Sequence, residues 1–442
     1  MSCKRLRTME GLQSGEERDH NNGVKPRLGQ KEDNLKSAPT QAIDDFFVFP
    51  PENRPDIPHD KYDLEIPVID MSPVLELEKL KKELAAMEEE GKKTGISGLV
   101  EQMKACEAAK IKVQTEIGAA CEEYGFFQIV NHGVPPQLMK QLVKSCQNVF
   151  DLPVEKKMKA EGAFTPNVKS GYGPMTRITK FSMIGKSHIW NEGFDLESPE
   201  VSHPGRMEEV ARILWPDEPE HTMLGLGLKS TSEQCGKELS NVTMCLLDVM
   251  AGSLGVSGES LEDLMGPEFR NKQAYARVRV NHYPQCVEAE KTWGFPGHTD
   301  SSIITVLHQD AVGGLQVRFK DGSWHGVRPI DGALVINVGN FLQVWTNRRF
   351  ISAEHRVVTN SQSSRIAVAY FVHRMDNFDL EPCPELLDAE HAARYRSFTK
   401  QEYFEKLFVM GMGADRDQLL DTAFGTNPQT EELKGVSQTC NI

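Results

Sequence analysis

WGFPGHTDSSIITVL, residues 293–307, decides how the rest of the chain is read. A Pro-Gly turn delivers His298, Thr299 and Asp300 to the mouth of an apolar run, and a strand sends residues i and i+2 to one face. On that reading His298 and Asp300 project side by side into whatever the sheet encloses. A non-haem Fe(II) site of the facial type takes two histidines and one carboxylate, leaving the other positions open for substrate and dioxygen. An antiparallel barrel brings distant strands together, so the candidate third ligand is His355, in Glu354-His355-Arg356-Val357-Val358.

The tripeptide alone decides little, because His308-Gln309-Asp310 repeats the pattern. Context separates the two: His298 enters an apolar strand, whereas Gln309 and Asp310 leave it into Val312-Gly313-Gly314, where polar pairs are ordinary turn chemistry. His132, in Asn131-His132-Gly133, reads as a structural turn residue. His282, His325 and His373 fall on or beside strands, where a hydrogen-bonded histidine is the default.

Outward from this stretch the period is two. Ala274–Val280, Ser302–Leu307, Leu315–Phe319, Leu334–Val338, Arg356–Val358 and Ile366–Phe371 are short β-branched or aromatic runs, and Asp321-Gly322 is a hairpin signal. Many short strands without alternating crossover helices favour an antiparallel barrel or jelly roll. Upstream, Ile66–Asp70 and Phe126–Val130 read as strands. Helical spacing joins Leu77, Leu80, Leu84 and Met87, then Val113, Ile117, Cys121 and Tyr124, then Leu138, Leu142, Cys146 and Val149, with a further helix over about 230–255. Residues 161–220 are rich in Pro and Gly and predict long loops around a cleft, with Tyr172, Trp190 and Trp215 exposed.

A net charge of −14 argues against general nucleic-acid binding, and no apolar run is long enough to span a membrane. Nine cysteines without a Cys-x-x-Cys pair suit a reducing compartment, and the polar, mixed-charge start shows neither a secretory signal nor a transit peptide. The expectation is a cytoplasmic monomer with a small-molecule partner.

In their order and spacing, Asn281-His282-Tyr283-Pro284, Gly297-His298-Thr299-Asp300, Gly313-Gly314-Leu315-Gln316-Val317, Gly332–Gly339 and His355 with Arg365 resemble the plant-type 2-oxoglutarate and Fe(II)-dependent dioxygenases, of the gibberellin oxidase and flavonoid dioxygenase kind. Ile66–Asp70 and Glu123–Val134 extend the resemblance into the N-terminal half. It implies an α+β chain with a mainly β core, a double-stranded β-helix (jelly roll) flanked by helices. The divisions expected are a disordered tail (1–45), a mostly helical N-terminal region (62–230), the Fe(II)/2-oxoglutarate jelly-roll domain (270–376) and C-terminal helices and tail (377–442). Iron would be held by His298, Asp300 and His355. The far carboxylate of the co-substrate 2-oxoglutarate would be gripped by Tyr283 and Arg365, a guanidinium fork matching a carboxylate bidentately.

The resemblance further implies O2 as oxidant, ascorbate in support, and decarboxylation to succinate coupled to hydroxylation or desaturation of a small hydrophobic plant metabolite. A gibberellin-like diterpenoid acid is the first expectation, with flavonoids, alkaloids and indole acids next. One departure stands out: Arg365-Ile366-Ala367 replaces the family's Arg-x-Ser, leaving Ser363 or a water to substitute. That opens the alternative of an oxidase of the same fold that needs no 2-oxoglutarate, beside a catalytically silent ligand-binding barrel. Tyr172, Met183, Trp190, Phe341 and Phe371 are candidate pocket residues, and Arg177 or Lys180 candidate partners for a substrate carboxylate.

Overall fold

The computed structural model describes residues 43–91, 94–160, 171–173, 183–184, 187–197, 212–216, 223–266, 276–374, 377–410 and 416–426. Nearly all of the 1–45 segment, most of 161–220, Arg177 and Lys180 lie outside the described residues, as does the side chain of Met183. In chain order the strands are β1 (Val68–Asp70), β2 (Phe126–Val130), β3 (Gly171–Gly173), β4 (Met183–Ile184), β5 (Ser187–His188), β6 (Glu192–Glu197) and β7 (Ala276–Tyr283). They continue as β8 (Trp293–His298), β9 (Ile304–Gln309), β10 (Leu315–Arg318), β11 (Trp324–Gly326), β12 (Leu334–Val338), β13 (His355–Val358) and β14 (Arg365–Val372).

Two sheets form the jelly roll. The large one runs β1-β2-β12-β9-β14-β7-β6-β3 and the small one β11-β10-β13-β8, while β4 and β5 pair separately. All pairs are antiparallel except β1 with β2. The Asp321-Gly322 hairpin joins β10 to β11, with Gly322 at φ +85°.

Side-chain alternation sorts the sheet faces. On β14, Ile366, Val368, Tyr370 and Val372 join Val278 and Val280 of β7 in the main core with the helices 96–123, 136–150 and 223–254. The other face carries Arg365 and Ala367 opposite Tyr283 and Asn281, and turns toward the small sheet. Leu315, Val317, Val335, Val357 and Ala367 pack between the sheets. The most apolar face of the large sheet is therefore its helix-covered outside, which leaves the inside for polar groups.

The structure corrects several expectations. Pro296 and Gly297 lie inside β8 rather than in a turn before a strand, and His298 ends that strand. Tyr172 and Trp215 are buried in the main core, because their indole and phenol rings fill the layer against the helices. Tyr172 donates to Glu192, and Phe341 packs on Phe378 and Tyr403, so neither lines the space between the sheets. Tyr124 leaves the helix face of Val113, Ile117 and Cys121 and packs edge-on against Phe319.

The helix 96–123 stops where Gly125 takes φ +64° and its N–H bonds the Ala120 carbonyl, a glycine cap that feeds directly into β2. A Cβ there would lie 2.2 Å from the Ile351 carbonyl oxygen. Gly125→Ala therefore combines left-handed strain with overpacking and is expected to cost about 2–5 kcal/mol in urea unfolding. At Gly322, where only the Arg318 side chain lies near, the same substitution costs only about 1–2 kcal/mol; equal losses at the two sites would contradict the packing argument.

Candidate metal centre

His298, the last residue of β8, sits directly across from His355, the first residue of β13. Paired residues of adjacent strands share a face, so both rings enter the space between the sheets, with centroids 4.2 Å apart. Each Nδ1 meets a backbone carbonyl, Pro296 at 2.9 Å for His298 and Ala353 at 3.2 Å for His355. An Nδ1–H donated to a carbonyl sets the tautomer with the Nε2 lone pair free, which is the ligating form. Both Nε2 atoms lie 3.6 Å from the same oxygen, Asp300 Oδ1.

Asp300 lies beyond the end of β8, so strand pleating does not aim it, contrary to the expectation of a shared strand face. Two side chains of the large sheet do. Thr305 Oγ1 and Asn337 Nδ2 donate to Asp300 Oδ2 at 2.7 and 2.8 Å, from positions paired across β9 and β12. One carboxylate oxygen is thereby committed to the protein and the other left facing the histidines. The three candidate ligand atoms fall within 4.8 Å of one another, the only such group among the described residues.

Electrostatics keep this cluster ready for a cation. Burial pushes the His298 pKa down, and repulsion from His355 adds to it, so the ring stays neutral. Burial alone would raise the Asp300 pKa, but His355, His298 and the bonds from Asn337 and Thr305 outweigh it and keep the carboxylate ionised. Phe126 packs edge-on against the His355 ring and Phe295 lies tilted against that of His298, which locks their orientation.

Arg365 and Tyr283 are register partners on β14 and β7, and the guanidinium lies 5.1 Å from the phenol ring centroid. Arg365 is only 2% exposed, and its Nε and Nη1 have no hydrogen-bond partner among the described residues. A buried cation with idle donors fits an anionic ligand between the sheets. His308, in the second H-x-D, pairs with Val368 and so turns toward the helices; Asp310 caps the backbone of Val312 and Ile366, as turn chemistry predicts. His132 accepts from Val134 N–H and bonds the Gly332 carbonyl, a turn residue. Ser363 is exposed and bonded to Asn360, so it does not replace the missing serine.

Asn337, Thr305 and Arg416 escaped the reading of the sequence. The signal for the first two was a polar residue at the inward phase of an apolar strand. Arg416 donates to the Thr299 carbonyl from the helix Arg416–Phe424, and its charge acts on His298. No periodicity near residue 300 could announce a group from that far along the chain.

The model of the 2OG-Fe(II) oxygenase superfamily matches residues 275–374, and that of the N-terminal region of non-haem dioxygenases in morphine synthesis matches 102–218. Gibberellin 3-beta-dioxygenase 2 of Arabidopsis thaliana is 33% identical over 303 residues, 69% of this chain and 82% of that one. Jasmonate-induced oxygenase 3 of the same plant is 28% identical over 379 residues, covering 85% and 92%. The crystal structure of JOX2 in complex with 2OG, Fe and JA matches with a TM-score of 0.63 at 25% identity, over 87% of this chain and 93% of that one. Relatives, fold and cofactor chemistry agree: the chain belongs to the 2-oxoglutarate- and Fe(II)-dependent dioxygenases.

Proposed function

We propose that His298, Asp300 and His355 hold the iron, that Arg365 and Tyr283 grip the far carboxylate of 2-oxoglutarate, and that the substrate is a small hydrophobic plant metabolite, first of all an acid. The observation that carries the metal assignment is the convergence of two free Nε2 atoms on one uncommitted carboxylate oxygen. With iron and 2-oxoglutarate bound, the site supplies dioxygen activation coupled to decarboxylation of 2-oxoglutarate to succinate and carbon dioxide. The chain's own residues orient the ligands, exclude water and place one C–H bond of the substrate against the centre.

One feature supports an acid: Arg416 puts a cation within electrostatic reach of His298. Phe371, register partner of Thr305, and Phe295, packed on His298, offer apolar surface for the body of such a molecule. A gibberellin-like diterpenoid acid is the first choice, supported by the gibberellin 3-beta-dioxygenases among the relatives. Indole acids are the runner-up, supported by the resemblance to a rice dioxygenase for auxin oxidation at 25% identity and a TM-score of 0.55, covering 77% of this chain and 94% of that one; flavonoids and alkaloids follow. The reading includes a cytoplasmic monomer without nucleic-acid or membrane partners; no described helix is long and apolar enough to cross a membrane.

Three outcomes are expected. His298→Ala and Asp300→Ala abolish Fe(II) binding and substrate-coupled succinate formation; full activity of either metal-replete variant would remove the triad assignment. Asn337→Ala, which leaves Thr305 as the one donor holding Asp300 Oδ2, lowers metal affinity roughly 10- to 100-fold with the fold intact, as titration with Fe(II) would read. Arg416→Ala raises KM for a diterpenoid acid roughly tenfold or more, the worth of a charge-assisted bond, and leaves KM for its methyl ester unchanged. Equal effects on acid and ester would overturn carboxylate recognition by Arg416.

A further inference from the structure

The question left by Ala367 is what holds the co-substrate where the family's serine is missing, and its answer rests on the reading of Arg365 above. Ala367 ends at Cβ and is buried among the apolar residues between the sheets, so it has no side-chain donor to offer. Its register partner on β9 is Gln309, which therefore shares its face. Contrary to the turn chemistry expected there, Gln309 is the last residue of β9, 8% exposed, with its side chain beside Arg365.

Gln309 Oε1 accepts from Arg365 Nη2 at 3.1 Å. A flipped amide would set donor against donor, so the arginine fixes which end of the amide faces it. That leaves Gln309 Nε2 as the donor end, and it is buried with no hydrogen-bond partner among the described residues. Arg365 Nε and Nη1 are in the same condition. Buried polar groups in folded proteins are nearly always satisfied, yet here three donor nitrogens on two touching side chains lack acceptors. An ionised carboxylate, with two oxygens that only accept, answers this arrangement.

We propose that Gln309 stands in for the absent serine, its Nε2 donating to the far carboxylate of 2-oxoglutarate beside Arg365. The donor moves from β14, where the family has it, to the paired position on β9. Arg365 orients the amide through Oε1, and the amide in turn holds the guanidinium in place, so the two act as one clamp.

The test is calorimetric titration of the anaerobic, Mn(II)-loaded full-length protein. The probes are 2-oxoglutarate and 2-oxobutanoate, which keeps the chelating keto acid and lacks the far carboxylate. Gln309→Leu is expected to weaken 2-oxoglutarate binding roughly ten- to a hundredfold, the worth of a hydrogen bond to a charged group. Mn(II) affinity and 2-oxobutanoate binding stay at wild-type values. Adding Ala367→Ser to Gln309→Leu restores most of the loss, because the hydroxyl returns on the facing strand. Gln309→Glu keeps the shape, reverses the polarity of the donor end, and is expected to show the same selective loss should the leucine variant not fold. Wild-type 2-oxoglutarate affinity in Gln309→Leu or Gln309→Glu would overturn the proposal, as would equal loss of both probes. If the wild-type protein itself binds the two probes equally, the far carboxylate is not recognised, and the reading of Arg365 falls with the proposal.

Discussion

The register of His298 against His355 is the constraint on which the rest of the site depends. A slip by one residue would turn one of the rings out of the space between the sheets. The small sheet contributes both imidazoles, whereas the partners that aim Asp300 sit on β9 and β12 of the large sheet. The cluster is thus a tie between two sheets, and a metal ion bound there would couple site assembly to folding.

That tie explains the inverted distribution of polarity in the jelly roll. Arg365, Gln309, Asn337 and Thr305 are all buried polar residues on inward faces, an arrangement that is costly unless each group finds a partner. The helical layer outside the large sheet supplies the apolar burial that such an interior cannot, through Ile366, Val368 and Tyr370 on one strand alone. The outer side of the small sheet is covered instead by residues 49–62. Arg356 on β13 lies over the Trp324 and Trp293 rings and bonds Gln316 and Asp56, while Gln316 reaches the carbonyls of Ile57 and Pro58. The strand that presents His355 inward is thereby anchored outward by its next residue.

Period-two patterning and hairpin chemistry are local, and they placed β9, β10, β12 and β14 within a residue or two of where they lie. The same locality misled where burial depends on neighbours far along the chain. Tyr172 and Trp215 sit in a Pro/Gly-rich stretch that reads as exposed loop, but the helix layer covers them. Pro296 and Gly297 read as a turn because those residues make turns, yet they form an irregularity within β8, held in the strand by the pairing of Phe295 and His298 with β13 on either side.

The sequence by itself determined the chemistry available: two histidines, an aspartate, an arginine and a tyrosine in a strand-rich half, in the order shared by one family. It also exposed the missing serine, since an absent hydroxyl is visible in one dimension. Tertiary structure alone decided which oxygen of Asp300 stays uncommitted, which histidine nitrogen faces inward, and that Gln309 lies across from Ala367. The physical reason is that hydrogen-bond partners of a buried polar group are chosen by sheet register. Register is set by the packing of whole strands and is not written at the position it controls.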